Sequence, residues 1–234
     1  MSVTVITGNI FTSESQTIVN TINCVGVMGA GIALECRLRY PEMHEKYVAL
    51  CSNNQIGIGR LWIYKASDRW ILNFPTKKHW RYPSKVEFLH AGLEKFIGTY
   101  KEKGIESIAF PLLGADKGGI PQSQSLSIMI EYLERAEIQV EIYKYDPRAK
   151  DDLFEMTKDW LLSKDISQIA LETKLKTNYV VKVLDAIQSP DISQLNQLAR
   201  VKGIGIKTLE KVFNAARGAV IQKKNPGTEQ QTLL

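Results

Sequence analysis

Between residues 3 and 145 two periodicities alternate, and that alternation leaves the chain few folds to choose from. Six short apolar runs, 3–7, 17–23, 60–65, 70–74, 107–111 and 140–145, are rich in β-branched or aromatic residues and predict strands. Between them, apolar residues recur every three or four positions. Val86, Leu89, Leu93, Phe96 and Tyr100 form one helical stripe, which Gly104 ends; Leu126, Met129, Ile130 and Leu133 form another. Residues 29–40 and 42–51 also predict helices, parted by Pro41. Strands that alternate with helices predict a three-layer α/β/α arrangement around a largely parallel sheet. In such folds the ligand sits beyond the carboxyl ends of the strands, on the strand-to-helix loops.

The alternation stops after Tyr145. Asp146-Pro147-Arg148 predicts a turn, and Lys150-Asp151-Asp152 an exposed polar stretch. Beyond it the patterns are helical: Ile166, Ile169 and Ala170; then Val180, Val183, Leu184 and Ile187, closed by Ser189-Pro190; then Ile192, Leu195 and Leu198; and, after a Gly-x-Gly turn, Leu209, Val212 and Phe213. The helical pattern is expected to end near Arg217. The expected organisation is an α/β domain over 1–148, a small all-α domain over 152–222 and a polar, disordered tail over 223–234. With 44% hydrophobic and 24% charged residues, the rest of the chain has the composition of a globular protein. No apolar run approaches the ~18 residues of a membrane helix and no signal pattern opens the chain, so no membrane partner is expected. Cys24, Cys36 and Cys51 are odd in number and lack CxxC spacing, which argues against a disulfide scaffold or a zinc site and for a reducing cytoplasm.

The formal charge of +5 is unevenly placed. Residues 1–150 hold 18 Lys and Arg against 15 Asp and Glu, and residues 151–234 hold 12 against 10. The excess gathers in 195–225, where Arg200, Lys202, Lys207, Lys211, Arg217, Lys223 and Lys224 face only Glu210. Such a patch suits either a solvated helix face or an anionic partner.

Two glycine-rich stretches follow predicted strands. Gly26-Val27-Met28-Gly29-Ala30-Gly31 follows 17–23 and opens a helix; Gly114-Ala115-Asp116-Lys117-Gly118-Gly119 follows 107–111. Tight turns need glycine in any case. Glycine also lets peptide N–H groups approach a diphosphate, and two such loops at equivalent strand ends can close over one ligand. Neither is a Walker A loop, and the GxGxxG spacing with an acidic residue about 20 positions on is absent.

These residues resemble the macrodomain family. The resemblance rests on Gly8-Asn9-Ile10, on Val19-Asn20-Thr21-Ile22-Asn23-Cys24-Val25-Gly26-Val27-Met28-Gly29-Ala30-Gly31-Ile32-Ala33 and on Phe110-Pro111-Leu112-Leu113-Gly114, with strand–helix order agreeing over residues 1–146. It implies binding of ADP-ribose. By family position Asn9 and Ile10 fall near the adenine. Asn20 and Asn23 join the binding residues, with Asn23 at the distal ribose because its amide both donates and accepts. Gly26, Val27, Met28, Gly29 and Gly31 make one phosphate-clasping loop; Gly114, Ala115, Lys117, Gly118 and Gly119 make the other.

Residues 70–81, Trp-Ile-Leu-Asn-Phe-Pro-Thr-Lys-Lys-His-Trp-Arg, are similar to the antitoxin branch of that family, which removes ADP-ribose from DNA thymidine. Related eukaryotic terminal ADP-ribose glycohydrolases carry a Thr-Lys at the same strand end. The resemblance implies a catalytic lysine at Lys77, with Thr76 beside it among the ADP-ribose-binding residues and Lys78 as its competitor; the plain alternative is a pair of surface lysines. Some lysine-dependent relatives also use an aspartate in the second glycine loop. Aligned on Gly114 that position is Gly118, and DNA-acting members tend to have glycine there. The nearby acid is Asp116, a second catalytic candidate, a ribose contact or a turn residue. His44, His79 and His90 have no triad or metal spacing, although His79 could line the cleft.

The implied reaction is hydrolysis of the bond between a thymine nitrogen and C1″ of ADP-ribose, through an oxocarbenium-like centre, with no metal and no cofactor. The diphosphate clamp positions C1″. The lysine either gives a proton or charge to the departing base or attacks the sugar as an amine.

Residues 198–212, with Lys202-Gly203-Ile204-Gly205-Ile206-Lys207 at their centre and Lys211 beyond, resemble a helix-hairpin-helix motif, which binds the DNA backbone without reading sequence. The alternative is a helical hairpin used for protein contacts. Residues 167–187 offer a weaker helix-turn-helix pattern. The expected function is thus a DNA ADP-ribosyl glycohydrolase with ADP-ribosylated DNA as its substrate and a DNA ADP-ribosyltransferase toxin as a possible genetic partner. Antitoxins of that branch usually carry a different, toxin-binding C-terminal part, which sets direct toxin contact in doubt for this chain. A non-catalytic ADP-ribose reader and a hydrolase of protein-linked ADP-ribose are the alternatives.

Overall fold

A computed structural model of the protein describes residues 3–224. The chain divides into two compact units, Met1–Lys150 and Asp151–Leu234.

The first unit is built on six strands: β1 (Val3–Gly8), β2 (Thr17–Asn23), β3 (Trp62–Lys65), β4 (Trp70–Lys77), β5 (Ser107–Pro111) and β6 (Gln139–Tyr145). Its helices are α1 (Gly31–Arg39), α2 (Pro41–Ser52), α3 (Val86–Thr99) and α4 (Gln122–Leu133), with single 3-10 turns at Ile10–Thr12 and Asp116–Gly118. The strands lie in the order β1-β6-β5-β2-β4-β3, all parallel except β3, which runs antiparallel to β4.

The central strands are apolar at successive positions because both faces are covered. Val19, Leu72, Phe74 and Phe110 pack with Leu89, Leu93 and Phe96 of α3 and Met129 of α4. Ile18, Ile22 and Ile71 point the other way, into a core with Met28, Met43 and Tyr47. The result is the α/β/α sandwich expected from the alternation. Space between α3 and the sheet is tight: a Cβ on Gly92 would fall inside the contact shell of the Phe74 ring.

One strand differs from expectation in a way that matters for the site. The run 70–74 predicted a strand, but β4 continues through Pro75 and Thr76 to Lys77. Its register against β2 slips by one: Ile22 faces Pro75, and Asn23 faces Lys77. Thr76 is the extra residue of a β-bulge, a place where a strand tolerates proline and where the following side chain is re-aimed.

The second unit comprises α5 (Asp152–Leu162), α6 (Ile166–Thr173), α7 (Thr177–Ile187), the single turn α8 (Leu195–Leu198) and α9 (Ile206–Lys224). Phe154, Leu161, Ile169, Val183, Leu195, Leu209 and Phe213 are among its buried residues. The stretch Lys150-Asp151-Asp152 was expected to be exposed throughout; Asp151 is instead fully buried. Its Oδ1 accepts from the N–H groups of Leu153 and Phe154, capping α5, and its Oδ2 accepts from Leu195 N–H at 2.9 Å. Helix α9 passes Arg217 and runs through Lys224, two residues into the expected tail; the remainder of that tail lies outside the described residues. No helix among the described residues is long and apolar enough to cross a membrane.

Candidate functional site

The first glycine loop leaves β2 at Asn23, whose side chain organises it. Asn23 Oδ1 accepts from the N–H groups of Val25 (3.0 Å) and Val27 (3.3 Å), and Nδ2 donates to the Val27 carbonyl. The Tyr47 hydroxyl, on α2, donates to the Asn23 carbonyl at 2.8 Å and lies 3.1 Å from Oδ1. Burial and the neighbouring Cys51 push the Tyr47 hydroxyl's pKa far above its usual value, so it stays a proton donor. Gly26 has a φ of +80° and Gly31 one of +56°, conformations that side-chain-bearing residues rarely adopt. Met28 is buried in the core and pins the loop from below, leaving Val27, Gly29 and Gly31 exposed. No side chain caps α1 at Ala30. The uncapped peptide N–H groups of that helix start are therefore available to an anion.

The second loop turns just as sharply, with φ of +67° at Gly114, +45° at Asp116 and +83° at Gly119. The Ile120 N–H closes it onto the Gly114 carbonyl at 3.0 Å, and Ser125 Oγ holds the Leu113 carbonyl at 2.7 Å. Ala115 and Gly118 are buried, while Asp116, Lys117 and Gly119 are exposed. A Cβ on Gly118 would lie 2.6 Å from Ser84 Oγ and 3.2 Å from Ser84 Cβ. Ser84 belongs to the connection between β4 and α3, and its N–H donates to the Gly118 carbonyl at 2.8 Å. Its own hydroxyl is buried without a hydrogen-bond partner.

The end of β4 stands between the two loops. On one side, Cys24 N–H donates to the Lys78 carbonyl and Cys24 Sγ to the Lys77 carbonyl, both at 3.3 Å. On the other, Lys77 Nζ donates to the Lys117 carbonyl. Desolvation, and then the charge of Lys117, lower the Lys77 pKa below that of an ordinary lysine. Lys78 is exposed, and its ammonium lies 5.9 Å over the Phe88 ring. Thr76 is buried at the bulge.

The other expected site residues are placed as follows. Asn9 is buried; its Oδ1 caps the 3-10 turn at Phe11 N–H, and its Nδ2 donates to the Lys150 carbonyl at 3.1 Å. Ile10 is part of the core. Asn20 is fully buried within the sheet, opposite Asn73, to whose Oδ1 it donates at 2.9 Å; Asn20 Oδ1 has no partner. Asp116 is exposed, with the Gln122 amide 3.5 Å away. Lys77, Lys117, Gly118 and the loop-shaping Asn23 and Asn9 thus all lie at carboxyl ends of strands or on the loops that leave them.

Sequence reasoning did not single out Ser84, Cys24, Tyr47 or Asn73. Cys24 and Asn73 fall within the stretches that carry the resemblance but were given no role there, and Ser84 and Tyr47 lie outside them. Asn73 carries the clearest signal, a polar side chain inside an otherwise apolar run.

In the second unit, Lys202, Gly203, Gly205 and Lys207 are exposed around the turn between α8 and α9, where Gly203 has a φ of +91° and lies close to Lys182. Lys211 Nζ instead donates to the Lys174 carbonyl at the end of α6.

Residues 19–129 match the Macro domain family. Over 144 residues the chain is 41% identical to a DNA ADP-ribosyl glycohydrolase of Thermus aquaticus, covering 60% of this chain and 40% of that protein. The solved macrodomain of Thermus aquaticus DarG superposes with a TM-score of 0.58 at 38% identity, over 61% of this chain and 98% of that one. Thermosipho africanus DarTG, solved in complex with ADP-ribose, superposes with a TM-score of 0.58 at 30% identity, over 63% of this chain and 43% of that one. A curated Thermosipho africanus relative is a fusion of a DNA ADP-ribosyl transferase with a DNA ADP-ribosyl glycohydrolase. The chain spans about two fifths of the length of these curated relatives.

Proposed function

Since this chain belongs to the macrodomain family, we propose that its first unit clasps the diphosphate of ADP-ribose between the two glycine loops and hydrolyses the bond joining ADP-ribose to thymine in DNA. The similarity to DNA ADP-ribosyl glycohydrolases supports the reaction class. The observation that carries the catalytic assignment is the placement of Lys77, tethered through Nζ to the backbone of the second loop and depressed in pKa. A desolvated lysine beside another cation is an activated amine. Its lone pair forms the Nζ–C1″ bond as the C1″–nitrogen bond to thymine breaks. The bond's electron pair leaves with the base, which takes up a proton. The ribose ring then opens to an imine, and water releases ADP-ribose and the free lysine. The loops contribute orientation, holding C1″ within reach of Nζ.

The deciding experiment presents the full chain with ADP-ribosylated thymidine oligonucleotides and with ADP-ribosylated protein side by side. Release of ADP-ribose from DNA alone supports the reading. Release from protein alone replaces the substrate, and micromolar binding without turnover on either makes the protein a reader. The Thermosipho fusion supports a transferase toxin as the source of the lesion, in the reducing compartment where DNA lies.

The second loop makes a prediction of its own. Gly118→Ala pushes Ser84 aside and weakens ADP-ribose binding about tenfold, near 1.4 kcal/mol, by isothermal titration. Gly118→Ala with Ser84→Gly recovers most of it; failure of that rescue would place the loss in the loop backbone instead.

We further propose that the turn 202–207 of the second unit meets the DNA backbone. The exposed Lys202 and Lys207, with Lys182 beside Gly203, support this. Lys202→Glu/Lys207→Glu should weaken binding to unmodified DNA equally across sequences and reduce the salt slope by about 2. An unchanged slope assigns the hairpin to protein contacts.

A further inference from the structure

The connection 78–85 between β4 and α3 contains Lys78, Arg81 and Lys85, and no acidic residue. Within it, a turn closed by the Tyr82 N–H on the His79 carbonyl at 3.1 Å gathers three rings. His79 lies 5.7 Å from Trp80 with the planes 25° apart, and 5.3 Å from Tyr82. The Arg81 guanidinium sits 4.7 Å over the Trp80 ring. Despite these mutual contacts Trp80 is 46% exposed and Tyr82 64% exposed. Polar residues would make the same turn without holding apolar rings in water, so packing does not account for them. The cluster begins two residues beyond Lys77, and Ser84 ties the same connection to the second glycine loop.

We propose that His79, Trp80 and Tyr82 form a stacking platform for single-stranded DNA, on which the nucleobase adjoining the ADP-ribosylated thymine lies, while Arg81, Lys78 and Lys85 meet the flanking phosphates. The inference rests on the DNA glycohydrolase reading and deepens it by locating the part of the substrate beyond ADP-ribose. A base held with its glycosidic bond at Lys77 is withdrawn from its own stack, and its neighbour loses a partner that an aromatic side chain replaces. Base faces of this kind are free in a single strand and closed in a duplex. The combination of exposed rings with cations and no acid matches a polyanion that carries aromatic faces.

The test compares kcat/KM of the full chain on ADP-ribosylated thymidine within a single-stranded oligonucleotide and on the ADP-ribosylated nucleoside alone. The wild-type protein should favour the oligonucleotide. Trp80→Ala/Tyr82→Ala should cut that preference about tenfold or more, through KM and not kcat. Trp80→Phe should keep most of it, and ADP-ribose binding serves as the control for folding. Equal use of both substrates by the wild type, or an undiminished preference in the double variant, overturns the platform. Turnover of neither substrate counts against the hydrolase reading alone. Fluorescence anisotropy of a labelled unmodified single strand then decides the platform: a tenfold weaker complex in the double variant supports it, and an unchanged one refutes it.

Discussion

Lys77→Ala abolishes turnover of ADP-ribosylated thymidine DNA, by a factor of about a thousand or more, and leaves ADP-ribose binding within about twofold of wild type. The split follows from what the side chain touches. Its amine is anchored on the Lys117 carbonyl, and that loop is also closed by Gly114, Ile120 and Ser84 through their own contacts. Removing the lysine therefore takes away the reacting amine while the clasp stays shut. Lys78→Ala, by contrast, removes an exposed ammonium from the face of Phe88 and costs a few-fold at most. The pH profile tests the role independently. Lys77 has a lowered pKa, so its neutral amine is populated at lower pH than in an ordinary lysine. Single-turnover rates should rise with pH through that lowered pKa and level off above it. A rate that falls through the same range means a protonated lysine acting as an acid. Borohydride present during turnover should link ADP-ribose covalently to the wild-type protein and not to Lys77→Ala.

Gly92→Ala destabilises the first unit by about 3 kcal/mol, the upper range for overpacking a core. The methyl group would enter the contact shell of Phe74, a fully buried ring packed against α3. For a chain of this size the midpoint of thermal unfolding should fall by roughly 10 °C. Gly92→Ala/Phe74→Leu, which shortens the opposing side chain, should recover part of the loss. Equal melting of Gly92→Ala and wild type would mean that α3 can lift from the sheet at little cost. Because Phe74 lies three residues before Lys77 on β4, partial rescue should also show as returning activity.

The architecture was readable because β2 and β4 are covered on both faces and carry short apolar runs, interrupted at Asn20 and Asn73, while α3 keeps a clean stripe. Lys77 was singled out by the resemblance of residues 70–81, with its place near a strand end between two glycine loops as support, and its catalytic role is the proposal made above. What escaped notice depends on contacts between distant positions. The predicted strand stopped at Phe74, just before a proline that lacks the N–H a ladder needs; the bulge at Thr76 absorbs that defect and the strand runs on. Ser84 has no periodicity or motif, and its importance arises only where it meets Gly118. Asp151 sat in a polar stretch and was expected in solvent, but two acceptor oxygens joining two helix starts are worth burying. Asn23 was expected to spend its amide on a sugar; much of it is engaged by its own loop. Lys211 illustrates the same limit, because a basic residue read as a phosphate contact is bonded to the end of a neighbouring helix.

The one-residue slip opposite Asn23 also bears on how such a protein could change its occupation. Side chains alternate along a strand and paired residues share a face, so the phase of Lys77 is decided by whether Thr76 is absorbed in the bulge. Were the ladder to run on without the bulge, Thr76 would pair with Asn23 and the lysine's side chain would turn to the opposite face, with every chemical group still encoded. Conversion between an eraser of ADP-ribose and a mere receptor for it is then a matter of register, open to any change that straightens one bulge without touching the lysine.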